Sequence, residues 1–115
     1  MSTKKSFSIE ISERYARALF ETSKEADELE KNEVDIKNFQ LLHEDSLELK
    51  NFIENPTHTI DTQNKILNLL SVKLSFSKNL KNFFLLLIKK RRMFFIKKIT
   101  KAFLKLCSKN RGEIK

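Results

Sequence analysis

The chain has 115 residues, 40% of them apolar and 33% charged, with a formal net charge of +8. That length suits one domain of three to six short elements, and the balance is too hydrophobic for a disordered tail and too polar for a membrane protein. One Gly, one Pro and ten Phe leave tight turns almost no glycine, which argues against a hairpin-rich β fold and for helices joined by polar turns.

Ser8 and Ser12 both offer N-caps ahead of Glu13-Arg14-Tyr15, so a first helix is predicted from about residue 9 or 12 to Ala26. Ile11, Tyr15, Ala18, Leu19 and Thr22 form one stripe on it, and Ala16, Phe20 and Ser23 a second beside it. A small core rarely needs both, so this helix is expected to touch something besides its own domain. Leu29, Ile36, Phe39 and Leu42 space a second helix, acidic on its exposed side and stopping near Glu44-Asp45-Ser46. Ser46 caps a short third helix with Leu49, Phe52 and Ile53 inward, which must end at Asn55-Pro56 because the residue before proline avoids the α region. Thr59 or Asp61 caps a fourth, whose stripe Ile60, Gln63, Leu67, Leu70 and Leu74 is broken only by Gln63. After the break at Ser75 to Ser77, Leu80, Phe83, Phe84, Leu87 and Ile88 mark one face of a fifth helix, with Leu85 and Leu86 on the other. A helix apolar all round is buried centrally or stands at an interface. Lys89 to Arg92 supply the positive charge a helix C-terminus favours, and Ile96, Ile99, Phe103 and Leu106 define a last helix opposite Lys98, Lys101, Lys105 and Lys109. The predicted fold is all-α, a compact six-helix bundle over residues 1–115, with Phe20, Phe39, Phe52, Leu67, Leu70, Phe83, Leu87, Ile99 and Phe103 in the core.

The same residues leave little for catalysis. A phosphate-cradling loop needs several glycines, and the chain has only Gly112; Cys107, His43 and His58 fall in no metal-ligand spacing. Cys107 reads as a small apolar filler, the histidines as solvent-facing or capping residues, and the carboxylates as solvent-face charges. No catalytic, cofactor or metal site is expected. A lone cysteine forms no internal disulfide, and the longest uncharged apolar run, Phe83 to Ile88, is far short of the roughly twenty residues that span a bilayer. Met1 to Ser6 carry no apolar signal core. Charge is lopsided: residues 1–60 hold eight basic and thirteen acidic side chains, a net −5, and residues 61–115 hold fifteen and two, a net +13. The basic stripe Lys98, Lys101, Lys105 and Lys109 could follow phosphates, but with the Phe residues assigned to apolar stripes a solvated face is the better reading.

The run Glu13-Arg14-Tyr15-Ala16-Arg17-Ala18-Leu19-Phe20 resembles the opening helix of the delta subunits of bacterial F-type ATP synthases, called oligomycin-sensitivity-conferring protein in mitochondria, with their Tyr-Ala-x-Ala-Leu-Phe pattern. Phe52-Ile53-Glu54-Asn55-Pro56 is similar to that family's Phe-Leu-x-x-Pro stop, and Lys65 followed by Ile66-Leu67 to its Lys-x-x-x-Leu helix. Asn82 to Ile88 followed by Arg91-Arg92-Met93 resembles its Asn-Phe-Leu-x-Leu-Leu and Arg-Leu pair, and Asn110-Arg111-Gly112-Glu113 its His-Arg-Gly-Glu motif. Lys89-Lys90 depart from the family's Asn or Glu-Asn before the arginine, and the family continues some sixty residues further into a region that binds the b subunits of the peripheral stalk. The resemblance implies the N-terminal domain of a longer delta subunit, with that stalk-binding part absent. It implies a monomeric, non-catalytic stator component at the cytoplasmic face of the bacterial inner membrane, without membrane insertion or specific nucleic acid, supporting proton-driven ATP synthesis. It further implies that helices 1 and 5 hold the amphipathic N-terminal helix of an alpha subunit, through Tyr15, Ala18 and Thr22 on one and Asn82, Leu86 and Lys89 on the other. The alternative is an RNA-binding six-helix protein similar to transcription antitermination factors.

Overall fold

The computed structural model describes residues 3–55 and 57–112, with side chains from residue 7 onward. In chain order the helices are α1 (Thr3–Glu25), α2 (Leu29–Asp45), α3 (Leu47–Glu54), α4 (Ile60–Lys73), α5 (Lys78–Lys89) and α6 (Ile96–Asn110), with a 3-10 turn at Met93–Phe95 leading into the last. Among the described residues there is no strand, and the fold is the expected all-α six-helix arrangement. Pro56, the expected stop for the third helix, and Glu113 of the closing motif lie outside the described residues.

The caps expected at Ser46 and Thr59 form, and Ser77, expected only as part of a break, caps α5 in the same way. The hydroxyl oxygens of Ser46, Thr59 and Ser77 accept from the backbone N–H of Leu49, Thr62 and Leu80 at 3.1, 3.1 and 3.0 Å. Each such cap is worth about 1 kcal/mol. The exception is α1, which starts at Thr3 and not at residue 9 or 12. Ser12 lies inside a helix already running, and its hydroxyl donates back to the Ser8 carbonyl at 2.8 Å. No proline or glycine in residues 3–8 stops the helix, so the two serines do not act as caps.

Helix ends show how a chain with one glycine turns. Asp27, Ser75 and Arg91 take left-handed backbone with φ of 57, 55 and 58° after α1, α4 and α5. In each case two backbone bonds close the end in the Schellman pattern: Glu28 N–H to Ser23 and Asp27 N–H to Lys24, Phe76 to Ser71 and Ser75 to Val72, Arg92 to Leu87 and Arg91 to Ile88.

All nine residues predicted for the core are buried. Phe39 meets Phe84 edge-on at 5.1 Å, and α1 lies along α6 with Ala16, Leu19, Ile99 and Phe103 fully buried. Two details differ from the sequence reading. The buried stripe of α6 runs Ile96, Ile99, Thr100, Phe103, Cys107, so Cys107 takes the inward position and Leu106 only packs against the margin. Thr100 is accommodated by accepting from Gln40 Nε2 of α2 at 3.1 Å and donating to the Lys97 carbonyl at 3.1 Å. On α2, Glu33 and Asp35 are buried rather than on a solvent face. Arg111 pairs with Glu33, Lys37 approaches it at 3.6 Å, and Lys31 holds Asp35 at 3.0 Å, which offsets the cost of withdrawing two carboxylates from water.

Candidate functional site: the seam between α1 and α5

The two faces of α1 have different fates. Ile11, Ser12, Ala16, Leu19, Phe20 and Ser23 are buried, whereas Tyr15 is half-buried and Ala18 and Thr22 are exposed. The surplus stripe is therefore the Tyr15–Ala18–Thr22 side. On α5, Leu80, Phe83, Phe84, Leu87 and Ile88 are buried, Leu85 is half-buried, and Asn82, Leu86 and Lys89 are exposed, Leu86 to 40%. An unbroken apolar girdle is thus buried on one side only.

Two ties fix these helices side by side. The Tyr15 ring meets Phe83 edge-on with centroids 6.4 Å apart, and Ser23 Oγ donates to Asn79 Oδ1 at 3.3 Å. Later residues of α1 pair with earlier residues of α5, so the helices run antiparallel. At about 100° per residue, Ala18 and Thr22 fall on one flank of Tyr15, and Asn82 and Leu86 on the corresponding flank of Asn79 and Phe83. Five of the six predicted residues therefore border one seam, with Lys89 in the last turn of α5.

The lower end of the seam rests on a buried polar cluster that sequence reasoning missed. Asn32 of α2, fully buried, donates from Nδ2 to Ser23 Oγ at 2.7 Å and to Asn79 Oδ1 at 2.8 Å, while its Oδ1 accepts from Ser77 Oγ at 2.7 Å. One side chain so connects α1, α2 and the start of α5, and every polar atom of the amide is used. The available signal was an asparagine at an inward position of a helix otherwise spaced by Leu29, Ile36 and Phe39, a placement that demands partners.

The remaining reactive side chains are subdued. Cys107 is buried, and burial, with the Glu33 carboxylate beside it, pushes its thiol up to about 11. His43 packs against Phe39 with ring centroids 5.8 Å apart, and burial, helped by Lys97, holds its imidazole below the usual 6.5. His58 packs against Phe52 at 5.9 Å, so both histidines are half-buried and each lies beside an aromatic ring. Among the described residues no three His, Cys, Asp or Glu side chains gather as a metal site, and no helix is long and apolar enough to cross a membrane. The basic stripe Lys98, Lys101, Lys105 and Lys109 is exposed. The general expectation that the Phe residues sit on apolar stripes does not extend to burial at Phe7 and Phe94, which are 51% and 67% exposed.

A compact arrangement of six helices, with no strand among the described residues, belongs to the class of all-α bundle proteins. Residues 11–115 match the family described as ATP synthase delta (OSCP) subunit, and the chain belongs to that family. It is 36% identical over its whole length to ATP synthase subunit delta of Pelagibacter ubique (strain HTCC1062), covering 62% of that protein. It is also 36% identical over 104 residues, 90% of this chain and 55% of the relative, to ATP synthase subunit delta of Rhizobium meliloti (strain 1021). The chain thus spans between about half and two thirds of the length of these relatives. Family membership displaces the antitermination-factor alternative.

Proposed function

We propose that this chain works as a non-catalytic stator component of an F-type ATP synthase, clasping the N-terminal helix of an alpha subunit in the α1/α5 seam. The observation that carries this reading is the half-buried Tyr15 with the exposed Ala18 and Thr22 on α1, beside the exposed Leu86 of α5, on two helices already locked together by Tyr15–Phe83 and Ser23–Asn79. An amphipathic helix laid there would cover Tyr15, Ala18 and Leu86 with its apolar stripe, and the small Ala18 permits close approach. Thr22 and Asn82 offer hydrogen bonds at one end of the seam, and Lys89 at the rim can meet acidic residues of the partner and speed encounter. Membership in the family and the names of its relatives support the setting.

In this reading residues 1–115 act as the N-terminal helical domain of a longer subunit. The contact with the b subunits of the peripheral stalk is made outside these residues, at the cytoplasmic face of the bacterial inner membrane. The role is mechanical: the subunit ties the alpha/beta head to the stalk, so that the head does not turn with the rotor and torque reaches the catalytic sites during proton-driven ATP synthesis. Rigidity is what such a tether needs, and the Asn32 cluster supplies it at the base of the seam.

The test is calorimetric titration of the protein with a peptide of about twenty residues from the cognate alpha subunit's N-terminus. Leu86→Asp would place a carboxylate under the partner without a hydrogen-bonding mate, weakening binding by roughly 2 to 4 kcal/mol, or about thirty- to a thousand-fold, while leaving the free protein folded. Failure of the native protein to bind, or equal binding by the folded variant, would refute the assignment.

A further inference from the structure

We propose that the groove between the N-terminal half of α1 and the first turns of α6 is a second docking site, taken by an acidic amphipathic helix of a partner protein. Three adjoining cavities build it. One of about 300 Å³ contains Gln63 and Phe94; the next, about 710 Å³, shares Ile53, Glu54 and Phe94 with it and adds Phe7 and Lys98; the third, about 260 Å³, shares Lys98 and runs on to Ile9, Ala102, Lys101 and Lys105. Phe7, Ile9 and Phe94 are 51%, 43% and 67% exposed, a concentration of large apolar side chains in one place that solvent alone does not favour.

The length and the charge pattern select the occupant. From Phe94 in the 3-10 turn the groove runs on along α6 from residue 96 to residue 105, between two and three turns or roughly 14 Å, which matches a helix of comparable length. Lys98, Lys101 and Lys105 stand along one rim at spacings of three and four, the spacing at which a facing helix would present carboxylates. The opposite wall carries Glu13 and Glu54 instead. A helix with an apolar centre, an acidic flank toward α6 and a basic or neutral flank toward α1 and α3 satisfies both rims. A nucleic-acid strand would bring phosphates against the two glutamates, and a bilayer surface cannot follow a concave floor. At the far end Gln63, 6% exposed, has an Oε1 without a hydrogen-bond donor among the described residues. An occupant carrying an N–H or hydroxyl group would fill that acceptor. Lys98 now donates to Ser8 Oγ at 2.6 Å, a contact a carboxylate could replace.

The probe is a designed helical peptide of about eighteen residues with a Leu/Phe stripe, glutamates on one flank and lysines on the other, titrated into the isotopically labelled full chain and followed by NMR. Shifts should map to residues 7–13 and 94–105, and the double variant Lys98→Glu/Lys101→Glu should lose about tenfold in affinity, recovered by a peptide whose acidic flank is changed to lysine. Leu86→Asp should leave this binding unchanged, which separates the site from the α1/α5 seam. The proposal is overturned if the peptide fails to bind at millimolar concentration, if its shifts fall elsewhere, or if the all-lysine peptide binds the native chain as well as the acidic one. It is equally overturned if phosphatidylglycerol vesicles or a single-stranded oligouridine occupy residues 94–105 while the peptide does not.

Discussion

Replacement of Asn32 by alanine should loosen the seam at its base. The substitution deletes the hydrogen bonds to Ser23 Oγ, Asn79 Oδ1 and Ser77 Oγ, all between 2.7 and 2.8 Å, in a site where Asn32 and Ser23 have no exposed surface. At about 1 kcal/mol for each bond, and with water able to replace them only partly, the loss is about 3 kcal/mol. That is a large share of the roughly 5 to 15 kcal/mol by which a domain of this size is stable. Ser77 keeps its cap on α5 through Leu80 N–H, so the helix start itself survives and the damage falls on the α1–α2–α5 junction. Urea unfolding followed by far-ultraviolet circular dichroism gives the stability difference, and hydrogen exchange at the start of α5 gives its location. A loss below about 1 kcal/mol, or exchange enhanced elsewhere but not there, would show that the cluster does not hold the helices together.

Leu87, fully buried, should cost about 2 to 5 kcal/mol when changed to alanine, measured by the same denaturation. Ser75→Gly and Arg91→Gly should each raise the melting temperature, because the left-handed backbone at these positions costs a side-chain-bearing residue about 1 kcal/mol relative to glycine. For Arg91 the gain is reduced by loss of the 2.9 Å bond from Nη1 to the His58 carbonyl. With its thiol raised to about 11 and buried, Cys107 should react with a maleimide reagent at pH 7.5 much more slowly than a free thiol, the difference vanishing in denaturant. His43 has its folded-state value lowered below 6.5, so the unfolded chain binds the proton more readily. Stability is then lost as pH falls through 6.5 and below, and His43→Gln should flatten that dependence of the melting temperature.

What the sequence made legible followed from local chemistry. The starts of α3 and α4 were readable because Ser46 and Thr59 each precede an apolar repeat and can reach a free N–H three residues on, whereas at α5 the break at Ser75 to Ser77 was legible but the capping role of Ser77 was not. The start of α1 was not, since a serine that can cap can equally bond back to a carbonyl within a helix, and only the chain before it decides. The burial of Glu33 was hidden because its guanidinium partner, Arg111, lies 78 residues away. On α6, Cys107 and Leu106 are neighbours with similar apolar character, so spacing alone left the inward position open. At the seam, the surplus stripe of α1 and the girdle of α5 were visible as excess hydrophobicity. The Asn32 cluster that aligns the two helices joins three separate segments and leaves no periodic trace.

The three tight corners after α1, α4 and α5 have a kinetic consequence. Each closes within three or four residues around a pair of backbone hydrogen bonds, and at Ser75–Ser77 the close of one helix leads directly into the cap of the next. Such corners admit few alternative conformations, so an arriving helix finds its surface already shaped and pays little ordering entropy. Association should therefore proceed in a single bimolecular phase whose rate rises linearly with peptide concentration, without the plateau that a slow preceding rearrangement would impose.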